Sequence, residues 1–345
     1  MSGMLRNRLF AGSTNPMVVL EIGGNHEGDF AYATQLVELA CQSKADAVKL
    51  QIYSADGLVN PQFDESRHHH FQKFELTVDQ YRTLLHKIRA SGKRSCASVW
   101  SDSLYRELAD DIDLLKVGSG DLTNYLLTDM FLKSGKPVIL STGLASVEEV
   151  RAVVGRCKRT LGAGWASRVG LLQCTTSYPC PTEHTHLNVI GQYYEQFECS
   201  IGFSDHYEGS LASEVAFDIG AQIFEFHFTD SREGKTFRDH KISWTKDEVD
   251  AFIDRMPLVT AMMGSDSKTL TSFEAEQNYH REFRKGLYYA RPLAKGDTIA
   301  VEDLISLRPA AQFDPSRYEE LVGQVVIRSI EPLAAVRTED LEDQG

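Results

Sequence analysis

Long hydrophobic runs are missing from this 345-residue chain. No window approaches the roughly 20 apolar residues of a membrane-spanning helix, so no membrane association of that kind is expected. Residues 1–16 hold only isolated apolar positions, and a secretory leader is not expected either. Positive charge is in deficit, with 36 Lys and Arg against 49 Asp and Glu and a formal net charge of -13. That balance argues against a nucleic-acid partner and against docking on an anionic membrane. An anionic substrate would need a cationic pocket of its own. Cysteine is sparse and scattered: Cys41, Cys96, Cys157, Cys174, Cys180 and Cys199 form no CxxC pair and read as reduced thiols of a cytoplasmic protein. Disordered or fibrous composition is absent too, since 42% of residues are hydrophobic and 25% charged.

What the chain does contain is a repeated alternation. Short apolar, β-branched-rich runs occur at 17–23, 47–53, 95–100, 114–120, 137–143, 170–176, 201–206 and 224–229. Between many of them lie stretches with apolar residues at three- and four-residue spacing, such as FAYATQLVELACQS and VEEVRAVVGRCKRTL. Eight βα units in about 250 residues predict an α/β fold, a (β/α)8 TIM barrel. Polar residues gather at the C-terminal ends of the runs, where a barrel places its active site. Side chains alternate along a strand, so the pairs Lys49/Gln51, Ser204/His206 and Glu225/His227 each point to one side, toward the barrel mouth. The predicted domains are a barrel over 1–265, a polar linker over 266–283, and a small β-rich domain over 284–345 built from two similar half-units.

Several residues could carry chemistry. His206 and His227 end the seventh and eighth runs, neighbours in a barrel, and could share a divalent cation with water, a substrate oxygen or Glu225; each could equally be a structural hydrogen-bonding residue. Lys49 and Lys116 each end an apolar run, and lysine is rarely buried without a partner. Either could clamp phosphate or carboxylate, form a Schiff base, or join a structural ion pair. The turns GSG (118–120) and STG (141–143) offer N–H and hydroxyl donors to an anion. The histidines at 68–70, in a charged stretch read as a loop, and His184 and His186 read as solvated surface.

Seven segments in order, EIGGNHEGD (21–29), DAVKLQ (46–51), KVGSGDLTN (116–124), GKPVILSTG (135–143), LLQCTTSYP (171–179), IGFSDH (201–206) and FEFHFT (224–229), resemble the N-acetylneuraminate (sialic acid) synthases and their relatives that make legionaminic acid and other nonulosonates. The resemblance runs over nearly the whole chain. It implies a barrel followed by a small antifreeze-like (SAF) domain, exchanged between two chains of a homodimer. The reaction implied is condensation of phosphoenolpyruvate with an N-acyl hexosamine, N-acetylmannosamine first and a deoxy-diacetamido hexose second, to give a nonulosonic acid and phosphate by C–O cleavage. It makes His206 and His227 ligands of Mn2+ or Mg2+, which polarises the sugar aldehyde. Lys49, Lys116, Ser119, Ser141 and Ser204 would bind phosphoenolpyruvate with Gln51 beside them, and Thr176 would be a further substrate-binding residue. Glu21, Asp121, Tyr178 and Asp239 would face the sugar or the transferring protons, and Arg308 would arrive from the partner's small domain. The chain departs from the pattern on the sugar side: Ser98-Val99-Trp100-Ser101 replaces Ser-Thr-Pro-Phe, Thr176 replaces an Asn of some members, Thr236-Phe237-Arg238-Asp239 replaces Pro-Gly-Pro-Asp, and Ala-Ala follows Arg308-Pro309 in place of Gly-Asn-Gly. Two rivals remain, a Schiff-base aldolase using Lys49 or Lys116 and a sugar-binding protein without turnover.

Overall fold

The computed structural model describes residues 16–342. The leader reading over 1–16 therefore concerns residues that lie, but for the last, outside the described ones. The chain divides into two units, parting between Gly264 and Ser265.

In the first unit eight parallel strands close a barrel in sequence order. They are β1 (Met17–Glu21), β2 (Ala47–Ile52), β3 (Arg94–Val99), β4 (Leu114–Val117), β5 (Val138–Ser141), β6 (Val169–Gln173), β7 (Ser200–Asp205) and β8 (Ile223–His227). All eight turn apolar residues outward onto the helices: strand residues such as Val18, Leu20, Val48 and Phe224 share one cluster with Leu36, Leu84, Val153 and Phe252 of the helices. The opposite faces of the same strands point inward. Met17, Val19, Ala47, Cys96, Leu114, Ile139, Leu172 and Ile223 form a separate apolar plug at the barrel floor. Two residues further along six of these strands the period of two returns a side chain to the lumen, now polar: Glu21, Lys49, Ser98, Lys116, Ser141 and Glu225. The floor excludes water beneath the layer that carries the charges. Gly202 belongs to the floor, because a Cβ there would lie 2.1 Å from the Ile223 carbonyl oxygen and 2.7 Å from Leu172 Cδ2.

Helix starts follow local chemistry. Ser146 and Glu149 form a capping box at the head of the helix Val147–Leu161, and Thr77 and Gln80 do so for Val78–Ala90. The histidines at 68–70, read as lying in a loop, stand instead on a helix, Glu65–Phe74, which the Asp64 side chain caps by accepting from the Arg67 N–H. His68 is buried there, with Nε2 2.8 Å from Asp56 Oδ1. All six cysteines are free. No helix among the described residues is long and apolar enough to cross a membrane.

In the second unit, two short helices, Ser272–Glu276 and Tyr279–Glu282, occupy the stretch read as a linker. Beyond them β9 (Gly286–Tyr289) pairs antiparallel with β10 (Leu304–Leu307) over a core that includes Leu287, Tyr289, Ile299, Val326 and Val336. The two half-units repeat one device. Asp303 and Asp340 are both buried, accept from the Ala300 and Arg337 backbone N–H groups, and pair with Arg291 (2.6 Å) and Arg328.

Candidate active site

The polar lumen layer is a charge network. Glu225, on β8, has Oε1 3.0 Å from Lys49 Nζ and Oε2 3.3 Å from Lys116 Nζ, and Oε2 accepts a 2.7 Å bond from the Ser204 hydroxyl. Lys49 also pairs with Glu21, whose other oxygen accepts from the Gly23 N–H. Burial alone would raise the Glu225 carboxyl; Lys116 and Lys49, then the Ser204 hydroxyl, reverse that and hold it far below the usual carboxylate range. Burial pulls Lys49 down, with Glu225 opposing. Both oxygens of Glu225 are thus committed to cations and a hydroxyl, and the expectation that this residue could complete a metal shell gives way to a role between the lysines.

Beside this network lies a hydroxyl cradle. Ser141 is buried and its Oγ has no hydrogen-bond partner among the described residues. The Gly143 N–H donates to Ser119 Oγ at 3.1 Å, and a Cβ at Gly143 would lie 2.5 Å from Thr176 Oγ1 and 2.8 Å from Ser119 Oγ. Only glycine lets those two hydroxyls converge. The neighbouring Thr142 is structural: its hydroxyl donates to the Leu172 carbonyl and accepts from Tyr193.

The two imidazoles face each other with ring centroids 5.5 Å apart. His206 Nδ1 lies 2.8 Å from the Thr175 carbonyl oxygen, so Nδ1 carries a proton and Nε2 is the nitrogen left for a ligand. Burial pushes His227 down to about 4, against the pull of Asp239, so this ring is neutral near pH 7. Its buried Nδ1 has no hydrogen-bond partner among the described residues, and an Asp239 carboxylate oxygen is 3.9 Å away. A neutral His227 and a His206 ring aimed by a backbone carbonyl fit a divalent ion that shares its shell with small molecules. No cluster of three or more His, Cys, Asp or Glu residues suited to a metal occurs among the described residues.

Above the histidines the Tyr178 ring lies 4.1 Å from His206 and 5.7 Å from His227, centroid to centroid, and the Arg238 guanidinium sits 4.9 Å over that ring. Arg238 Nε also donates to Asp239 Oδ1 at 3.1 Å. Across the mouth Asp121 accepts from Trp100 Nε1. Gln51 stands opposite Ser98 in the β2–β3 register. Of the residues expected at the site, all but Arg308 stand on the barrel's lumen or rim. Arg308 follows β10 in the second unit, exposed, its guanidinium 5.4 Å over the Phe283 ring. The bridging position of Glu225 and the pairing of Trp100 and Arg238 with carboxylates were not foreseen; the signal for the latter two was their departure from the family pattern.

Residues 36–268 match the NeuB family, and residues 284–342 match the SAF domain. The chain belongs to the NeuB family. The N,N'-diacetyllegionaminic acid synthase of Campylobacter jejuni is 30% identical over 91% of this chain and 96% of its own length. The human N-acetylneuraminate-9-phosphate synthase is 27% identical, over 97% of this chain and 96% of its own. Among solved structures, the N-acetylneuraminic acid (sialic acid) synthetase of Leptospira borgpetersenii, in complex with citrate, superposes with a TM-score of 0.69 at 26% identity, covering 77% of this chain and 91% of that one. As a member of the NeuB family the protein is an enzyme of the synthase type.

Proposed function

We propose that the protein is a nonulosonate synthase that joins phosphoenolpyruvate to an N-acylated aldohexose, consumes water and releases phosphate. The observation that carries this reading is the meeting, in one lumen, of Lys49 and Lys116 with the hydroxyls around Gly143 and with two facing imidazoles. Relatives named as synthases of legionaminic and N-acetylneuraminic acid derivatives support it.

Lys49 and Lys116 act as point charges on the trianionic substrate, and Ser119, Ser141 and Thr176 bond its oxygens, with Ser204, held on Glu225, and Gln51 beside them. Glu225, between the lysines, fixes their ammonium groups before substrate arrives, so little reorganisation is left for the reaction. Glu21, Asp121, Tyr178 and Asp239 orient the sugar and move protons. C3 of phosphoenolpyruvate bonds to the aldehyde carbon, whose oxygen takes a proton. The oxygen of water then bonds to C2, and the C2–O bond to phosphate breaks, leaving a 2-keto acid and inorganic phosphate that keeps the bridging oxygen. Held by His206 and His227, Mn2+ or Mg2+ would supply Lewis acidity at the aldehyde oxygen. The Schiff-base alternative is disfavoured because both lysine Nζ atoms are held in ion pairs, Lys49 with Glu21 and Glu225 and Lys116 with Glu225, which leaves neither placed as a free nucleophile.

The test uses phosphoenolpyruvate labelled with 18O in the bridging position and a panel of N-acyl hexosamines, with and without chelator. Labelled phosphate released only when sugar and divalent ion are both present is the expected result. Borohydride trapping of pyruvate on Lys49 or Lys116 would replace this reading with the aldolase one.

A further inference from the structure

Behind the groups that line the lumen, one buried amide is held for its donors. Asn25 stands on the turn after β1 and is fully buried. Its Nδ2 donates to the Phe228 carbonyl at 2.8 Å and to Ser243 Oγ at 2.9 Å, while its Oδ1 has no hydrogen-bond partner among the described residues. A buried acceptor left unmade is destabilising, so packing alone does not account for an amide here. What the position uses is the NH2 group.

The direction of these bonds follows from chemistry. A carbonyl oxygen only accepts, so the amide nitrogen must be the atom that faces Phe228. The hydroxyl of Ser243, also buried, has a single proton and gives it to the Asp239 carbonyl at 2.7 Å. Ser243 therefore accepts from Asn25 and donates to Asp239. This relay ties the loop after β1 to the loop after β8. Phe228, next to the end of β8, also donates its N–H to the Glu21 carbonyl at 2.8 Å, and the Asn25 N–H donates to the Ile22 carbonyl. Glu21 and Asp239 stand at the two ends of the tie, so the relay sets the spacing of two carboxylates across the site.

Asp239 is where that matters. It lies on the short turn Arg238–Ile242, which has no side-chain cap. Its Oδ2 is 3.9 Å from His227 Nδ1, and its Oδ1 accepts from Arg238 Nε at 3.1 Å. Both contacts depend on where the backbone of this residue sits. We propose that Asn25 is a positioning residue for the condensation, acting through Ser243 to hold the Asp239 carboxylate beside His227. The proposal rests on the synthase reading above, in which Asp239 faces the sugar or the transferring protons. Asn25 acts on the reaction only through that carboxylate, and its influence disappears where the carboxylate is gone.

Asn25→Asp keeps the shape of the side chain and replaces its donors with acceptors. The Ser243 hydroxyl then turns its proton to the new carboxylate and releases Asp239. The experiment is a double-mutant cycle on the full-length enzyme with Mn2+, comparing wild type, Asn25→Asp, Asp239→Asn and the double variant. Phosphate release from phosphoenolpyruvate is followed with the N-acyl hexosamine that the wild type turns over, and circular dichroism checks folding at the assay temperature. Asn25→Asp alone should lower kcat on the order of 10- to 100-fold and leave KM for phosphoenolpyruvate in place, since the lysines and the hydroxyl cradle are untouched. In the Asp239→Asn background the same change should cost nothing further. The Kd of the sugar, measured by calorimetry without phosphoenolpyruvate, completes the same cycle if Asp239→Asn leaves no rate to follow. Ser243→Ala, which cuts the relay at its middle, should reproduce the pattern and decides the matter if Asn25→Asp does not fold. Losses that multiply in the double variant, or a folded Asn25→Asp enzyme with wild-type kcat, would overturn the proposal and leave the synthase reading standing. Phosphate release by the wild type with no N-acyl hexosamine at all would sink the synthase reading and this proposal with it.

Discussion

Between Lys49 and Lys116 the Glu225 carboxylate has little slack, and the three residues respond to substitution as a set. Lys116→Met removes one charge from the substrate and leaves Glu225 with a single cationic partner. Losing a charge-assisted bond costs about 1.5 to 3 kcal/mol, so KM for phosphoenolpyruvate should rise roughly 10- to 150-fold while KM for the sugar changes little. Equal rises in both constants would make Lys116 a structural residue. The imidazoles give a second expectation. Burial lowers His227 from 6.5 to about 4, and does the same to His26. Between those pH values the unfolded chain binds protons that the folded chain refuses, so stability falls as pH drops through the window from 6.5 to 4. The thermal midpoint of the metal-free protein should therefore decline across that range, and His227→Gln should make the decline shallower. An unchanged slope in the variant would mean that His227 is not held neutral. At this scale the sequence told which side chains face inward, because alternation is local. It did not tell that Glu225 would bridge β2 and β4, nor that Trp100 would reach Asp121, since such partners meet only once the barrel closes.

Element by element, the eight strands were legible because each is a short apolar run ending in a turn, and the barrel order follows from short right-handed βα connections. The helix Glu65–Phe74 was hidden because its sequence, ESRHHHFQKF, has charge and histidine where an apolar stripe would announce a helix. Its Asp64 cap was the available signal. Two glycines separate what an element owes to folding from what it owes to chemistry. Gly202→Ala would drive a methyl into the β8 backbone at Ile223, where nothing flexible can yield. Stability should fall by about 1 to 3 kcal/mol or more, read as a lower denaturation midpoint. Gly143→Ala meets two side-chain hydroxyls instead, which can rotate away. That protein should keep its midpoint and lose phosphoenolpyruvate affinity on the order of 10-fold, one hydrogen bond's worth. Loss of stability in both variants, with affinity intact in each, would refute the cradle at Gly143.

For the whole molecule, the sequence marks a polar linker over 266–283 and a shift in composition from Arg284, while the two units part between Gly264 and Ser265. What no reading of one chain supplies is how copies combine, because association depends on surfaces that carry no periodic signature. If two chains exchange their C-terminal units, Arg308 of one completes the site of the other. Mixing the inactive variants Arg308→Ala and Lys116→Met should then restore activity after subunit exchange, because one site in each heterodimer is free of both defects. Heterodimers that form without recovery would show that each chain uses its own Arg308 or none.

The lumen network also decides how the enzyme answers to its medium. Two ammonium groups and two carboxylates sit above a dry floor and sum to zero, beyond the reach of the ion cloud that surrounds the acidic exterior. Dissolved salt screens exposed charges over about 8 Å at physiological strength, and buried ones far less. Brine should therefore slow the meeting of enzyme and anion while leaving the bound reaction alone. Raising KCl from about 0.05 M to about 0.5 M ought to alter KM for phosphoenolpyruvate and spare kcat. In effect the barrel carries its own counterions, and the salinity of the surroundings stops at the door.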